Sequence, residues 1–431
     1  MSDRDNRRTH SLIPGGAHTY SKGDDQFSAN APTHLERGEG AWVWDRDGNR
    51  FLDWTAGLRT MSLGYGIEPV IQAAVEQIRR GSNFGRPSFI ETDYAERLVA
   101  SIPSAEMAKF AKNGSTVTSA AVKLARAFTG RDYVAFCQDH PFFSFDDWFI
   151  GTTPCDSGVP SAFGALSLPF RYNDLKTLEF QFDSHPGKIA CVIMEAATMV
   201  DPLPGFLEGV QALCRKHGAV FILDEMITGF RWHLNGAQTH FNIQPDLSTF
   251  GKGMANGFAV AALVGRRDIL ELGGLFHNKK RVFLISTTHG AENHALAAAM
   301  ATIDFFHANP VIENMWTIGR ALIDGMNAIA GEIGIGSAFK AFGFPCSPCY
   351  ATLDAAGQPC MKLRTLFLQE MVNAGVLINY IAPGWSHRQA ELDVTLAAVR
   401  KALQVYGRAI DEGVDKYLRG PAIKPVFRAF N

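Results

Sequence analysis

The middle of the chain alternates helical text with short, uncharged apolar runs, and this rhythm restricts the possible fold more than any other feature. Tyr133–Cys137, Ala190–Met194, Val220–Leu223 and Ala259–Val264 have strand length and carry no charge. Between the second and third lies a helical stretch, about Phe206 to His217, with apolar positions at Leu207, Val210 and Leu213. Strands that are apolar on both faces need cover on both faces. Interleaved helices provide it, so the pattern predicts an α/β domain built on a mostly parallel sheet.

The flanks read differently. The first 40 residues are rich in Gly, Pro and polar residues, with Pro14-Gly15-Gly16 as a turn signal, and predict an arm. Ala41–Trp44 and Arg50–Trp54 predict two short strands around the turn Asp45-Arg46-Asp47-Gly48-Asn49. A helix is expected from about Pro69 to Arg80, with Val70, Ile71, Ala74 and Ile78 on its apolar face. A long helix is expected after Thr288, followed by helices with a few strands such as Gly375–Ile381. A length of 431 residues suggests two or three domains. The expected division is an arm with short strands over 1–60, a large domain over 61–303 and a smaller α+β domain over 304–431.

Charge excludes some partners. The 41 basic and 43 acidic residues leave a formal charge of -2, which gives no electrostatic reason to expect nucleic acid or an anionic membrane. Met1 to His10 is polar with no apolar core behind it, and runs such as Phe258–Val264 are too short to span a bilayer. Seven scattered cysteines suggest no disulfide framework, so a cytoplasmic setting is expected. Cys346-Ser347-Pro348-Cys349 reads as a strand edge, since no further metal ligands stand at useful spacing.

Three segments carry chemistry. In Ala219–Arg231 an apolar strand is followed by Asp224 and Glu225, expected just past its C-terminal end, where open α/β sheets bind ligands. Asp224 either pairs with a buried cation or protonated ring nitrogen, or caps the next helix. Lys252 stands between Gly251 and Gly253, with no other charge before Arg266. In a dry pocket its amine becomes a nucleophile towards an aldehyde; otherwise it is a surface lysine in a turn. Asn113-Gly114-Ser115-Thr116 precedes a helix and reads either as a phosphate site or as an ordinary N-cap. Together they describe one ligand: an aldehyde for the lysine, a ring nitrogen for the aspartate and a phosphate for the helix. Pyridoxal phosphate has all three groups.

The sequence resembles the class III pyridoxal-phosphate aminotransferases, and within them the glutamate-1-semialdehyde aminomutase branch. The likeness runs from Ile13-Pro14-Gly15-Gly16 to Leu392-Asp393-Val394-Thr395-Leu396. It is most specific in Leu223–Arg231 with Gly236-Ala237-Gln238, and in Pro245–Lys252. The resemblance implies fold type I, with a mostly parallel, seven-stranded-type sheet covered by helices. It implies that Lys252 is the Schiff-base lysine and proton shuttle, that Asp224 keeps the pyridine nitrogen protonated, and that Met226 packs beneath the ring. Gly114 and Ser115 match the phosphate-binding pair, and Glu195 matches a glutamate near the substrate. Thr288 matches a threonine that reaches the phosphate in a neighbouring subunit, which implies a homodimer with shared active sites.

Departures from the family text bear on substrate. The ring-stacking aromatic matches Phe142 only after a one-residue shift, with His140 as the alternative. Lys22 stands where the aminomutase has a carboxylate-binding arginine, and lysine lacks the bidentate fork. Arg59 occupies a position that is usually small, while His289 and Glu292 replace apolar or small residues. A pocket with the added Arg59, His289 and Glu292 would suit a polar small molecule; alternatively Arg59 and His289 form an internal polar network. The resemblance implies an aminotransferase that takes nitrogen from an amino donor such as L-glutamate, through a pyridoxamine phosphate intermediate, to the carbonyl of a polar acceptor. The alternatives are an intramolecular aminomutase and a catalytically inactive pyridoxal-phosphate-binding protein.

Overall fold

The computed structural model describes residues 2–430. They fall into two units: one runs to Ile67 and resumes over Glu313–Arg428, the other is Glu68–Ile312. The divisions therefore lie at 67/68 and 312/313, against 60/61 and 303/304 expected. The N-terminal segment groups with the C-terminal residues instead of standing as an arm of its own.

In the first unit, strands β1 (Arg37–Glu39), β2 (Trp42–Trp44) and β3 (Arg50–Asp53) form an antiparallel meander. The turn between β2 and β3 closes as expected, because the Asp45 carboxylate accepts from the Asn49 backbone N–H and side-chain amide. Arg37 and Arg50 lie over the Trp44 and Trp42 rings, at 3.7 and 4.0 Å from the centroids.

The second unit holds a seven-stranded sheet. Its strands are β4 (Met107–Ala111), β5 (Tyr133–Cys137), β6 (Ser167–Phe170), β7 (Ile189–Met194), β8 (Val220–Glu225), β9 (Leu247–Phe250) and β10 (Ala261–Gly265). Their order is β4-β10-β9-β8-β7-β5-β6. The run from β6 to β9 is parallel, and β10 is antiparallel to both its neighbours. Every residue of β7 and β8 is buried, which accounts for the unbroken apolar text of β7 and of Val220–Leu223 in β8. Helix Phe206–His217 buries Leu207, Val210 and Leu213 as its spacing predicts, and Gly114–Thr129 buries Val117, Ala121 and Leu124.

Helix Glu68–Arg80 forms one residue earlier than expected and buries only Val70 and Ala74. Ile71 and Ile78, assigned to the same face, are 37% and 52% exposed. The first unit resumes with β11 (Phe339–Phe344) and β12 (Ser347–Thr352), an antiparallel pair, and β13 (Val376–Leu377), parallel to β3. Cys349 lies within β12. Long helices Met361–Asn373 and Gln389–Glu412 pack Leu366, Phe367, Val399 and Tyr406 into a core with Trp54 and Phe339. Among the described residues no single helix is long and apolar enough to cross a membrane.

Candidate active site

The carboxyl end of β8 organises the second unit. Asp224 and Glu225 are the last two residues of the strand, not residues beyond it, and both are buried. Pleating points neighbouring side chains to opposite faces, so the pair divides its work. The Glu225 carboxylate accepts from the backbone amides of Ala237 and Gln238 at 2.8 and 2.9 Å, and from the Thr228 hydroxyl at 2.5 Å. A buried carboxylate with this many donors is a brace: it gathers the turn after β8.

Asp224 takes less from its own chain. It accepts from the Met226 backbone N–H at 2.9 Å and from the Thr249 hydroxyl at 3.2 Å. No helix starts beside it, so the capping alternative drops away. Burial pushes its carboxyl above the ordinary range. The Met226 amide, the Lys252 charge and the Thr249 hydroxyl pull it back. Such a carboxylate is poised to pair with a cationic ring nitrogen. Thr249 had no sequence signal, because β9 was not recognised; the parallel register sets it directly against Asp224.

Lys252 follows β9 and opens a short 3-10 turn, Lys252–Ala255, with a left-handed backbone (φ 44°). The chain then reverses into β10, where Ala262 pairs with Phe250. Met226 packs between this turn and helix Gly114–Thr129. A β-carbon on Gly251 would lie 2.7 Å from the Met226 sulfur, and one on Gly114 would lie 2.8 Å from it. Both glycines are required by close approach.

Asn113 caps helix Gly114–Thr129, its carboxamide oxygen accepting from Thr116 N–H at 2.9 Å. The buried Ser115 hydroxyl accepts from Phe145 N–H at 3.1 Å, leaving its proton to donate. Thr118 fastens the same loop, donating to the Phe143 carbonyl at 2.7 Å. Amides and a hydroxyl at the start of a helix of this length suit a phosphate. The donor set, the buried Asp224 and the two glycine cradles against Met226 together fit pyridoxal phosphate.

His140 is 3% exposed, just beyond β5, and its Nδ1 accepts from Glu195 N–H at 3.0 Å. Phe142 is 44% exposed, its ring edge-on to Phe149 at 5.7 Å. Glu195 is buried at the end of β7. Thr288 and His289 are exposed, and the Thr288 carbonyl accepts from the Asn83 side chain at 3.1 Å. Glu292 is engaged within its own unit. Lys112 lies 2.7 Å away and holds its carboxyl below the usual range by a hydrogen bond.

Lys22 and Arg59 belong to the first unit. Lys22 is exposed. Arg59 ends a turn in which Ala56, Leu58 and Arg59 all have positive φ (45°, 59° and 71°). Ser386 and His387 are structural: Ser386 donates to the Leu63 carbonyl at 2.6 Å, and His387 stacks on Trp54 at 4.2 Å. Among the described residues no group of three or more His, Cys, Asp or Glu is arranged to hold a metal.

Known proteins agree with this geometry. Residues 24–157 and 166–397 match the family described as aminotransferase class-III. The glutamate-1-semialdehyde 2,1-aminomutase of Syntrophobacter fumaroxidans is 32% identical, over 91% of this chain and 94% of that protein. The FumI protein of Sphingopyxis sp. MTA144, solved in its PLP internal aldimine form, superposes with a TM-score of 0.87 at 25% identity, covering 95% of this chain and 97% of its own. An omega-transaminase from Sphaerobacter thermophilus shares the fold, with a TM-score of 0.84 at 21% identity over 94% and 98% of the two chains. The match extends through both units and through Asp224, Met226 and Lys252, so this chain belongs to the class III aminotransferase family and is a pyridoxal-phosphate-dependent enzyme.

Proposed function

We propose that the chain is a transaminase that moves an amino group from a donor, L-glutamate being the first to test, to the carbonyl of a polar small-molecule acceptor. The observation that carries this reading is the buried Asp224 under the attraction of Lys252, with Met226 closing the floor between Gly114 and Gly251. When bound, pyridoxal phosphate supplies a reactive aldehyde and an electron-withdrawing ring. Asp224 holds the ring nitrogen in its protonated state. The amides of helix Gly114–Thr129 and the Ser115 hydroxyl hold the phosphate. The Lys252 amine would take and return the proton at the substrate's amino-bearing carbon.

Two features favour a transaminase over an aminomutase. Lys22 stands where the aminomutase resemblance implies an arginine, and Arg59 introduces a guanidinium for which no carboxylate in the described residues lies within ion-pair distance. Both positions differ from the text that the aminomutase resemblance implies, whereas Lys252 and Asp224 are retained. The aminomutase reading draws support from the Syntrophobacter relative and retains the same lysine and aspartate. A homodimer is part of the proposal. Exposed Ile71, Ile78, Phe276 and Phe283 offer apolar surface to a second copy, and exposed Thr288 is available to a partner's phosphate site.

The test is a visible spectrum of the purified enzyme before and after adding L-glutamate with no acceptor. The visible band is expected to be absent in Lys252→Ala and to bleach in the wild type. A band that stays unchanged with glutamate, while acceptor-free glutamate-1-semialdehyde is converted, would replace the transaminase reading with the aminomutase one.

A further inference from the structure

In the second unit the imidazole of His140 is half used. His140 is 3% exposed, and its Nδ1 accepts from the Glu195 amide at 3.0 Å. A neutral imidazole that accepts at Nδ1 carries its proton on Nε2. Burial pushes the His140 pKa down to about 4, so the ring is neutral at working pH. The Nε2–H is buried and has no hydrogen-bond partner among the described residues. Its neighbours are rings: Tyr172 at 5.1 Å and Phe143 at 6.2 Å between centroids. The Tyr172 hydroxyl does not serve Nε2, because it donates to the Ala196 carbonyl at 2.8 Å. A ligand acceptor would complete this unmade bond.

Placement says which ligand. His140 lies three residues past the end of β5, whose parallel neighbour β7 leads into Glu195; β7 in turn neighbours β8, which ends at Asp224 and Glu225. Three consecutive carboxyl ends therefore present His140, Glu195 and Asp224 along one edge of the sheet. Two interstrand spacings separate the first from the last, about 10 Å. The loop that carries His140 is also pinned to the start of the phosphate-site helix, through Phe145 N–H to Ser115 and Thr118 to the Phe143 carbonyl.

We propose that His140 is a cofactor-binding residue that presents a neutral Nε2–H donor, fixed in that tautomer by the Glu195 amide, to an oxygen of bound pyridoxal phosphate. This rests on the cofactor assignment and adds to it a hydrogen bond that the ring of Phe142 cannot make. The role differs from simple ring packing, because phenylalanine packs equally well and donates nothing.

Three substitutions separate the parts of the imidazole. The His140→Gln side chain carries its amide N–H near the position of Nε2, His140→Asn retains an acceptor near Nδ1 for the Glu195 amide, and His140→Phe retains only a ring. Pyridoxal phosphate is titrated into full-length cofactor-depleted protein, and its Kd is read from the visible band and from quenching of intrinsic fluorescence. Unfolding curves check that each variant is folded. His140→Asn and His140→Phe are expected to weaken binding about tenfold, and His140→Gln about twofold or less. A parallel titration with pyridoxal, which lacks the phosphate, identifies the acceptor. An equal loss assigns the ring oxygen, and a loss confined to the phosphorylated form assigns a phosphate oxygen. Recovery in His140→Asn but not in His140→Gln would overturn the proposal in favour of a purely structural cap on Glu195. Unchanged binding in His140→Phe would overturn it in favour of packing alone. If wild-type protein shows no Lys252-dependent band, the cofactor assignment itself fails.

Discussion

The slot that holds Met226 makes a prediction that can be worked from distances. A β-carbon on Gly251 would begin 2.7 Å from the Met226 sulfur. Non-bonded heavy atoms settle near 3.5–4.0 Å, so the added methyl starts about 1 Å too close. The sulfur cannot retreat towards helix Gly114–Thr129, because Gly114 already approaches it so closely that a β-carbon there would lie at 2.8 Å. Relief therefore runs towards the space the ligand needs. Overpacking of this degree costs about 1–3 kcal/mol, which corresponds to a loss of roughly five- to hundredfold in affinity for pyridoxal phosphate. Met226→Ala removes the obstacle at the price of a cavity, itself worth about 2–5 kcal/mol of stability. The assay is a double-mutant cycle on cofactor Kd with Gly251→Ala, Met226→Ala and the combination. If the contact is the cause, Gly251→Ala is nearly silent in the Met226→Ala background, and the coupling is about 1–3 kcal/mol. Effects that add within about 0.5 kcal/mol would refute the reasoning, because they would place the strain of the added methyl elsewhere.

Other expectations follow from the same geometry. Glu225→Gln replaces one acceptor oxygen by an NH2 group that faces the donors converging there, and is expected to cost about 2–4 kcal/mol in denaturant unfolding while the wild-type spectrum returns at saturating cofactor. The buried His140 makes stability pH-dependent. Its folded pKa of about 4 lies below the ordinary 6.5, so between these values the unfolded chain binds more protons. Stability should therefore fall as pH drops from about 6.5 to 4, by up to about 3 kcal/mol, and this slope should vanish in His140→Gln.

What could be read from the sequence depended on whether a strand's burial shows in its side chains. β5, β7, β8 and β10 were legible because their burial is expressed as unbroken apolar text. β4, β6 and β9 were not. Lys109 interrupts β4, and Pro169 sits in β6, which tolerates it as the outer strand of the sheet. β9 buries two hydroxyls: Ser248 meets the Gln238 side chain at 3.3 Å and Thr249 meets Asp224. A satisfied hydroxyl is apolar in effect but polar in text, so its burial is visible only once its partner is placed. The same reason hid the brace role of Glu225, whose partners lie 12 and 13 residues ahead across a turn. Asp224, Lys252 and the Gly114 helix were legible as types, because a carboxylate after an apolar run, a lysine between glycines and small residues before a helix each signal without a partner. The exposed Ile71 and Ile78 show the converse: periodicity marks apolar faces and does not say which surface meets them.

The reversal after β9 sets what Lys252 is free to do. Both neighbours of the turn are tied into the sheet, since Phe250 pairs with Ala262 and Glu225, and Ala262 pairs in turn with Phe110. The lysine backbone is therefore a fixed pivot, and in the role proposed for Lys252 travel between bound and released positions would come from the four-carbon stem alone. Proton delivery in that role needs no loop excursion. The same anchoring makes the 250–262 connector intolerant of length changes: one inserted residue would swing the amine off its arc or break the pairing of β9 with β10, whereas insertions at the exposed tips of other loops would pass unnoticed.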